Sequence, residues 1–278
     1  MPELPEAETI VRGLRTAVLG EVIRRVDVLH QDILRQPKAE FVRGVKGRRI
    51  DGVGRRGKNV LIRLDCHRVI AGNLGMTGRL LPFPTLPKGD GRPGHPAVRF
   101  RFESGALLIF DDTRRFGTVE AFTEDEWQGR SARMGPEPLD REYRARDLFE
   151  ALQRSRAPAR SWLLDQKKIA GVGNIYANEA LYLAGVHPQR EARQVSRRES
   201  VALHRSLRRV LRDAIRAGGT TIRDYRNAEG GRGEYARRLH VYGRHGEPCL
   251  KCRSHICRIV FANRSAFYCP TCQPVPTK

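Results

Sequence analysis

Between residues 4 and 19, apolar Ile10, Val11, Leu14, Ala17 and Val18 recur every three or four positions. Gly20 stops the pattern, which predicts an amphipathic helix. The period then shortens. Runs at residues 22–29, 48–53, 59–64, 69–74, 98–102, 106–110 and 118–122 predict short strands. Glu103-Ser104-Gly105 reads as the hairpin turn between two of them, and many short strands with glycine-rich turns predict a sandwich or barrel. Residues 82–96, with five prolines and three glycines, read as a long loop interrupting it.

The pattern changes near residue 130, where Met134-Gly135-Pro136-Glu137-Pro138 reads as a linker. Ser196-x-x-Glu199 has the form of a capping box. It opens a helix with Leu203, Leu207, Val210, Leu211, Ala214 and Ile215 on one stripe, closed by Gly218-Gly219. A glycine-rich loop then runs to about Tyr235, and a cysteine-bearing tail follows. The expected organisation is a β domain over 1–130, a helical domain over 131–236 and a small metal module over 237–278.

Charge sharpens this picture. Lys and Arg number 52 against 31 Asp and Glu, for a net charge of +21. Such a surplus predicts a polyanionic partner, because each neutralised phosphate releases condensed counterions. Only eight of the basic residues are lysine, and arginine gives bidentate, permanently charged phosphate contacts. An arginine-favouring genome accounts for the choice of arginine but not for the net charge. No run of 18 apolar residues is present, so no membrane span is expected. The first residues lack the apolar stretch of a secretory signal, and the chain reads as cytoplasmic.

Cys249-x2-Cys252 and Cys269-x2-Cys272 stand 16 residues apart. Two such turns put four thiolates around a tetrahedral Zn2+ with no open position, so one structural, non-catalytic zinc is expected. Cys257 and Cys66 fall outside the pattern and read as buried small hydrophobes. Between the pairs, residues 256–262 and 265–268 predict two strands with Asn263-Arg264 at the tip. A guanidinium there suits a DNA groove or a phosphate, and equally a solvated surface.

Pro2 is small enough that removal of Met1 should expose a secondary amine. An α-amino group titrates near ~8 against ~10.4 for lysine, so on the order of a tenth is unprotonated at neutral pH. The positive end of the first helix disfavours the protonated form further. Such an amine can attack a sugar C1′ and form an iminium, and Glu3 and Glu6 lie within one turn for proton transfer. Taken alone, the same residues also make an ordinary helix start.

Seven segments stand in order: MPELPEAETI, GRRGKNVLIRL, NLGMTGRL, FDDTRRFG, LLDQKKIAGVGNIYANEAL, VYGRHGEPCLKC and RSAFYCPTCQ. Together they span nearly the whole chain and resemble the formamidopyrimidine-DNA glycosylase family, bacterial enzymes that excise 8-oxoguanine and ring-opened purines. The resemblance implies an α+β fold: an N-terminal β-sandwich with flanking helices, then a C-terminal helix–two-turn–helix domain plus a zinc hairpin. It implies a base-excision DNA glycosylase with abasic-site lyase activity on damaged double-stranded DNA; the sequence is silent on partner proteins, and monomeric action is the simplest expectation. Pro2 then corresponds to the nucleophile, Glu3 to the acid and Glu6 to a member of the same cluster. Lys58 corresponds to a phosphate-contacting lysine that assists elimination, Asn174 to a phosphate-binding asparagine, and Arg264 to the zinc-hairpin arginine. Met76, Arg114 and Phe116 correspond to the residues that fill the void left by a flipped base. His95, Arg156, Arg160 and Tyr242 fall at DNA-contact positions, and residues 218–235 resemble a lesion-covering loop.

Three positions depart from the family pattern. Asn73 stands where histidine is common, Thr113 where proline is usual, and Arg253 where glycine is frequent. They bear on affinity and pairing preference, since none belongs to the catalytic set. Two other readings share many features. One is the endonuclease VIII type of sister enzyme, which prefers oxidised pyrimidines and more often opens MPEGPE. The other is a non-catalytic DNA-binding zinc protein, which would not need Pro2, Glu3 and Lys58 together.

Overall fold

The computed structural model describes residues 2–86, 92–221, 231, 233–261 and 263–275. They group into two compact units, Met1–Arg133 with Ala217–Glu234, and Met134–Arg216 with Tyr235–Lys278.

The first unit opens with α1 (Leu4–Val18), whose Ile10, Val11, Leu14 and Val18 are buried as the periodicity predicts. The strands are β1 (Ile23–Val28), β2 (Ile50–Arg56), β3 (Asn59–Leu64), β4 (Arg68–Asn73), β5 (Arg79–Phe83), β6 (Pro96–Phe102), β7 (Leu107–Asp111) and β8 (Thr118–Thr123). They form two antiparallel sheets, ordered β1-β6-β7-β5 and β2-β3-β4-β8. Alternating residues, among them Val26, Phe100 and Phe110 of the first and Val60, Ile62 and Val119 of the second, fill one core with the buried face of α1. A sandwich is therefore the form taken. A second, smaller cluster puts Trp127 of α3 (Glu124–Ser131) against Leu61, Val69 and Ala71.

Three elements escape the sequence pattern, each for a physical reason. The helix α2 (Lys38–Val45) is only eight residues long and buries Phe41, Gly44 and Val45, too few for a visible stripe. The strand β5 contains Pro82, which an edge strand tolerates. It therefore shortens the loop expected over 82–96, of which residues 87–91 lie outside the described residues. The helix α3 is announced by Thr123-x-x-Glu126, the same capping signature as Ser196-x-x-Glu199. Thr123 Oγ1 accepts from Glu126 N at 3.2 Å, and Glu126 Oε2 accepts from Thr123 N at 2.7 Å.

The second unit contains α4 (Ala145–Gln153), α5 (Ala159–Leu164), α6 (Asn174–Ala184), α7 (Arg197–Arg216) and the hairpin β9 (Cys257–Phe261) with β10 (Arg264–Tyr268). The box at the start of α7 is formed, with Ser196 N donating to Glu199 Oε2 at 2.9 Å and Glu199 N to Ser196 Oγ at 3.3 Å. Burial raises the Glu199 carboxyl, but hydrogen bonds from Ser196 and the Arg190 guanidinium outweigh it and hold the group low. The predicted stripe of α7 is buried and packs on α4 and α6.

Candidate active site and metal centre

In the first unit the N-terminal turn is enclosed. Pro2 is buried, and Glu3 and Glu6 are 2% and 1% exposed. Met1 lies outside the described residues. Glu6 Oε2 accepts from Glu3 N at 2.8 Å and Oε1 accepts from Thr220 N at 2.7 Å. Glu6 thus fixes the turn that presents Pro2 and Glu3 and ties it to the base of the glycine-rich loop. That base is itself closed. Gly233 N donates to Thr221 Oγ1 at 2.8 Å, Glu234 N donates to Ala217 O at 2.9 Å, and a Cβ on Gly233 would sit 2.3 Å from Gly219 O. The middle of the predicted lesion-covering loop, 222–230 and 232, lies outside the described residues.

Lys58 occupies the two-residue turn Gly57-Lys58 between β2 and β3, where Arg56 pairs with Asn59. Gly57 takes φ +58°, as a tight hairpin of this kind requires. Arg55 ties the turn down, donating to Gly57 O at 2.8 Å and to Glu8 of α1 at 3.3 Å.

Met76 lies in the β4–β5 connection, and Arg114 and Phe116 in the β7–β8 connection; both connections cross from one sheet to the other. All three side chains are exposed, Met76 at 38% and Phe116 at 56%. The Arg114 guanidinium lies 4.6 Å from the Phe116 ring centre. Asp112, 1% exposed, locks the two connections together. Its Oδ1 accepts from Thr77 Oγ1 and Arg114 N, and its Oδ2 accepts from Gly117 N. A Cβ on Gly75 would sit 2.5 Å from the Phe116 carbonyl carbon, so the approach needs glycine. Asn73 spans the same region, donating to Asn59 Oδ1 at 3.1 Å and accepting from Gly75 N at 3.1 Å. His95 is exposed just before β6, its N–H held by Asp111.

In the second unit, two turns joining α5 to α6 are stitched by Gln166, which accepts from Gly171 N and donates to Leu164 O and Val172 O. They deliver Asn174 to the first turn of α6, the positive end of the helix dipole, which favours an anion. Asn174 Oδ1 accepts from Arg160 at 2.6 Å, and Arg160 and Asn174 both donate to Ser265 O in β10. Arg160 is therefore no surface contact: it is fully enclosed, with its guanidinium 4.8 Å from the Phe261 ring. Burial first, and then the neighbouring Arg264 charge, lower its pKa to about 10, while Tyr242 acts oppositely. Arg160, Asn174, Tyr242 and Arg264 thus converge, whereas Arg156 is exposed in the α4–α5 connection and joins none of them.

Arg264 is exposed and is the first residue of β10, paired with Phe261; the hairpin tip turns at Asn263, with φ +55°. The tip expected at Asn263-Arg264 is thus displaced by one residue, because Arg264 already belongs to the ladder. Ala262 lies outside the described residues.

The four predicted metal ligands come together, their sulfurs all within 4.8 Å of one another. Cys249 and Cys272 are 4.0 Å apart, Cys252 and Cys269 3.3 Å, and Cys252 and Cys272 3.6 Å. A tetrahedron with Zn–S bonds of ~2.3 Å has edges of about 3.8 Å, so the donor set fits zinc. Hydrogen bonds from Ser254 bring Cys252 down to about 6. Burial and the adjacent sulfurs push Cys272 up to about 12. Four thiolates this close ionise together only around a cation. Arg253 takes φ +68°, which explains why glycine suits that position. Cys66 and Cys257, expected to be buried, are both half-buried. The first packs in a turn against the sandwich core, and the second begins β9 opposite Tyr268.

Several positioning residues were invisible to motif reading. Glu179 of α6, fully buried, accepts from the backbone N–H groups of His240, Val241 and Tyr242 and from His240 Nδ1. Asn178 accepts from Phe267 N, and Gln273 joins Cys269 N to Val186 O. The only available signal was polar residues on a helix that is otherwise apolar all round.

Family models extend the match along the chain. The formamidopyrimidine-DNA glycosylase N-terminal domain matches residues 1–119, the H2TH domain of that enzyme 134–226, and a zinc finger found in FPG and IleRS 246–275. Formamidopyrimidine-DNA glycosylase of Chloroflexus aggregans is 43% identical over 274 residues, covering 98% of both chains. That of Novosphingobium aromaticivorans is 43% identical over 276 residues, covering 98% of this chain and all of the relative. Among solved structures, the MutM (Fpg) protein of Thermus thermophilus matches with TM-score 0.88 at 38% identity, over 99% of this chain and 100% of that one. A Lactococcus lactis Fpg mutant in complex with DNA containing Fapy-dG matches with TM-score 0.91 at 32% identity and the same coverage. The cysteine cluster is accordingly the seat of one structural zinc.

Proposed function

The chain belongs to the formamidopyrimidine-DNA glycosylase family, and from that premise we propose that it removes oxidised purines from duplex DNA through its own N-terminal proline. It is a DNA glycosylase, and the proposal adds its substrate, its covalent route and the roles of its residues. The observation that carries it is the enclosed Pro2-Glu3 turn fixed through both oxygens of Glu6.

Removal of Met1 frees the Pro2 nitrogen. Its lone pair attacks C1′ of the damaged nucleotide, and the C1′–N bond breaks, its electron pair leaving with the base, which takes up a proton. Glu3 supplies the acid toward the sugar, protonating O4′ as the C1′–O4′ bond breaks, so that the ring opens and the nitrogen lone pair, its own proton lost, forms the iminium. Glu6 acts by position, since each of its oxygens already accepts a backbone N–H. The iminium then draws electrons through loss of the C2′ proton and expulsion of the 3′ phosphate. A second elimination expels the 5′ phosphate, with Lys58 and Arg264 neutralising the phosphates.

Met76, Arg114 and Phe116 fill the vacated stack as one preset piece, because Asp112 joins their connections. Asn174 with the α6 N-terminus, Tyr242, His95 and Arg156 hold the backbone, and Arg160 positions Asn174. The functional segments are taken as 1–130, 131–236 and 237–278, in a monomer working on DNA in the bacterial cytoplasm. Among the described residues no helix is long and apolar enough to cross a membrane.

Borohydride trapping on a duplex carrying 8-oxoguanine opposite cytosine tests this. A covalent protein–DNA band is expected with the native N-terminus and none when extra residues precede Pro2. A band of equal strength with the blocked N-terminus overturns the Pro2 assignment. A band only on an oxidised pyrimidine moves the chain to the endonuclease VIII-type reading.

A further inference from the structure

The outward face of α7 carries a row of arginines. Arg198, Arg205, Arg209, Arg212 and Arg216 are all exposed. At 3.6 residues per turn they fall within an arc of about 60° and run for about 27 Å along the helix. The arc lies about half a turn from the buried stripe of Leu203, Leu207, Val210, Leu211 and Ala214 that packs on α4 and α6. It therefore lies opposite the stripe that packs on α6, whose first turn carries Asn174; Ala184, at the far end of α6, stands beside Arg198 and Arg205. An arginine-rich composition by itself would scatter these residues around the exposed surface instead of aligning them.

The alignment works against the free helix. Arg205–Arg209 and Arg212–Arg216 are like charges at i, i+4, which repel. Arg198 sits in the first turn, the wrong end of the helix dipole for a cation. Asp213 answers Arg209 and Arg216, but Arg198, Arg205 and Arg212 make no ion pair with any described residue. Burial, and after it the charge of Arg212, holds Arg208 below the usual arginine range. A polyanion laid along the stripe would relieve this repulsion.

We propose that the arginine face of α7 binds a second, undamaged segment of duplex DNA, separate from the segment engaged for base excision. The chemistry favours nucleic acid over an acidic protein. The face is dominated by guanidinium groups, with Val201, Ala202 and Asp213 at its margins, and among the described residues it offers none of the aromatic anchors on which protein interfaces rely. Arginine in an open row matches successive phosphates without reading sequence. The inference goes beyond the excision reading and is independent of the Pro2 chemistry. Its use is electrostatic: a protein holding two segments can pass from one to the other without leaving DNA.

The test uses the full-length, zinc-loaded protein saturated with a short duplex bearing a tetrahydrofuran abasic analogue, to which a labelled undamaged duplex is added. Anisotropy should show uptake of the second duplex, falling steeply with salt. In R198E/R205E/R212E that uptake should drop at least tenfold, and the slope of log K against log salt should fall by about three, at ~0.9 per phosphate. Affinity for the abasic-analogue duplex should stay within twofold. R198Q/R205Q/R212Q should lose uptake to a lesser degree while melting at a higher temperature than wild type in low salt, which a misfolded variant would not do. The proposal is overturned if the saturated wild type takes up no second duplex or if the charge-reversed variant binds it equally. It is overturned too if affinity for both duplexes falls in parallel, or if an acidic polypeptide binds the stripe and the undamaged duplex does not. Borohydride trapping on the same preparations reads the Pro2 chemistry separately.

Discussion

The sandwich fills its interior with Val60, Ile62, Ile70, Phe100 and Phe110 and holds Glu6, Thr77 and Asp112 at turns. The helical and zinc unit instead runs Arg160, Asn178, Glu179, His187 and Gln273 through its interior, each at most 1% exposed. The difference follows from what each has to bury. Two facing sheets supply apolar residues from both sides, so the core closes by itself. The zinc hairpin contributes few: among its described residues from 246 to 275 the buried apolar ones are Ile256, Ala266, Cys249 and Cys269. It is held by a metal and by side-chain hydrogen bonds to α6. In the sandwich polar burial shapes turns that present functional groups; in the second unit it holds the parts together.

Metal removal should break this contrast most strongly. Structural zinc contributes apparent binding energies of about 10–16 kcal/mol in small modules, and the hairpin has little else. Chelation should strip hydrogen-exchange protection from β9 and β10 and abolish DNA binding, while β3, β4 and β7 keep theirs. Retained protection in β9 would show that the polar links alone hold the hairpin.

A smaller effect is expected at Glu179. Glu179→Gln turns one of the two accepting oxygens into a donor facing N–H groups and should lower stability by about 2–4 kcal/mol, measured by denaturant unfolding. Exchange should rise first at residues 240–242. Glu6→Gln, at a carboxylate that accepts from Glu3 N and Thr220 N, should lower stability less and loosen the N-terminal turn instead. Equal losses, or loss at neither site, would erase the distinction drawn between the units.

The smallest expected effect is on pH. Burial, then the Arg190 charge, lowers the pKa of His187, which lies edge-on to Tyr268 with ring centres 4.6 Å apart. With the folded value below the unfolded one of ~6.5, the neutral ring's contribution is full above that pH and is lost as pH falls toward the folded value. Thermal stability of the second unit should therefore decline with acidification below about pH 6.5, and His187→Gln should flatten that decline. An unchanged profile in the variant would assign the acid sensitivity elsewhere.

Legibility divided along similar lines. Periodicity predicted α1, the capped α7 and seven of the strands because each has its own repeating apolar pattern. It missed α2, too short for a stripe, and β5, whose Pro82 is tolerated only because the strand lies at an edge. The zinc ligands were readable because metal chelation constrains local spacing, and the two CxxC turns carry it. The candidate site residues were readable as motifs, but their partners were not. Glu179 meets residues 61 to 63 positions away, Glu6 meets one 214 away, and Thr77 meets Asp112 35 away.

By itself, then, the sequence determined the elements that carry their own periodic pattern, the metal ligands and the resemblance that marks the site, since each depends on neighbours along the chain. The tertiary structure alone decided that Arg160 is enclosed and supports Asn174, and that Glu6 has both oxygens occupied. It also decided that the arginines of α7 form one outward row. Burial, hydrogen-bond partners and the direction of a helix face are set by what packs against a residue, and that is fixed only when distant segments meet.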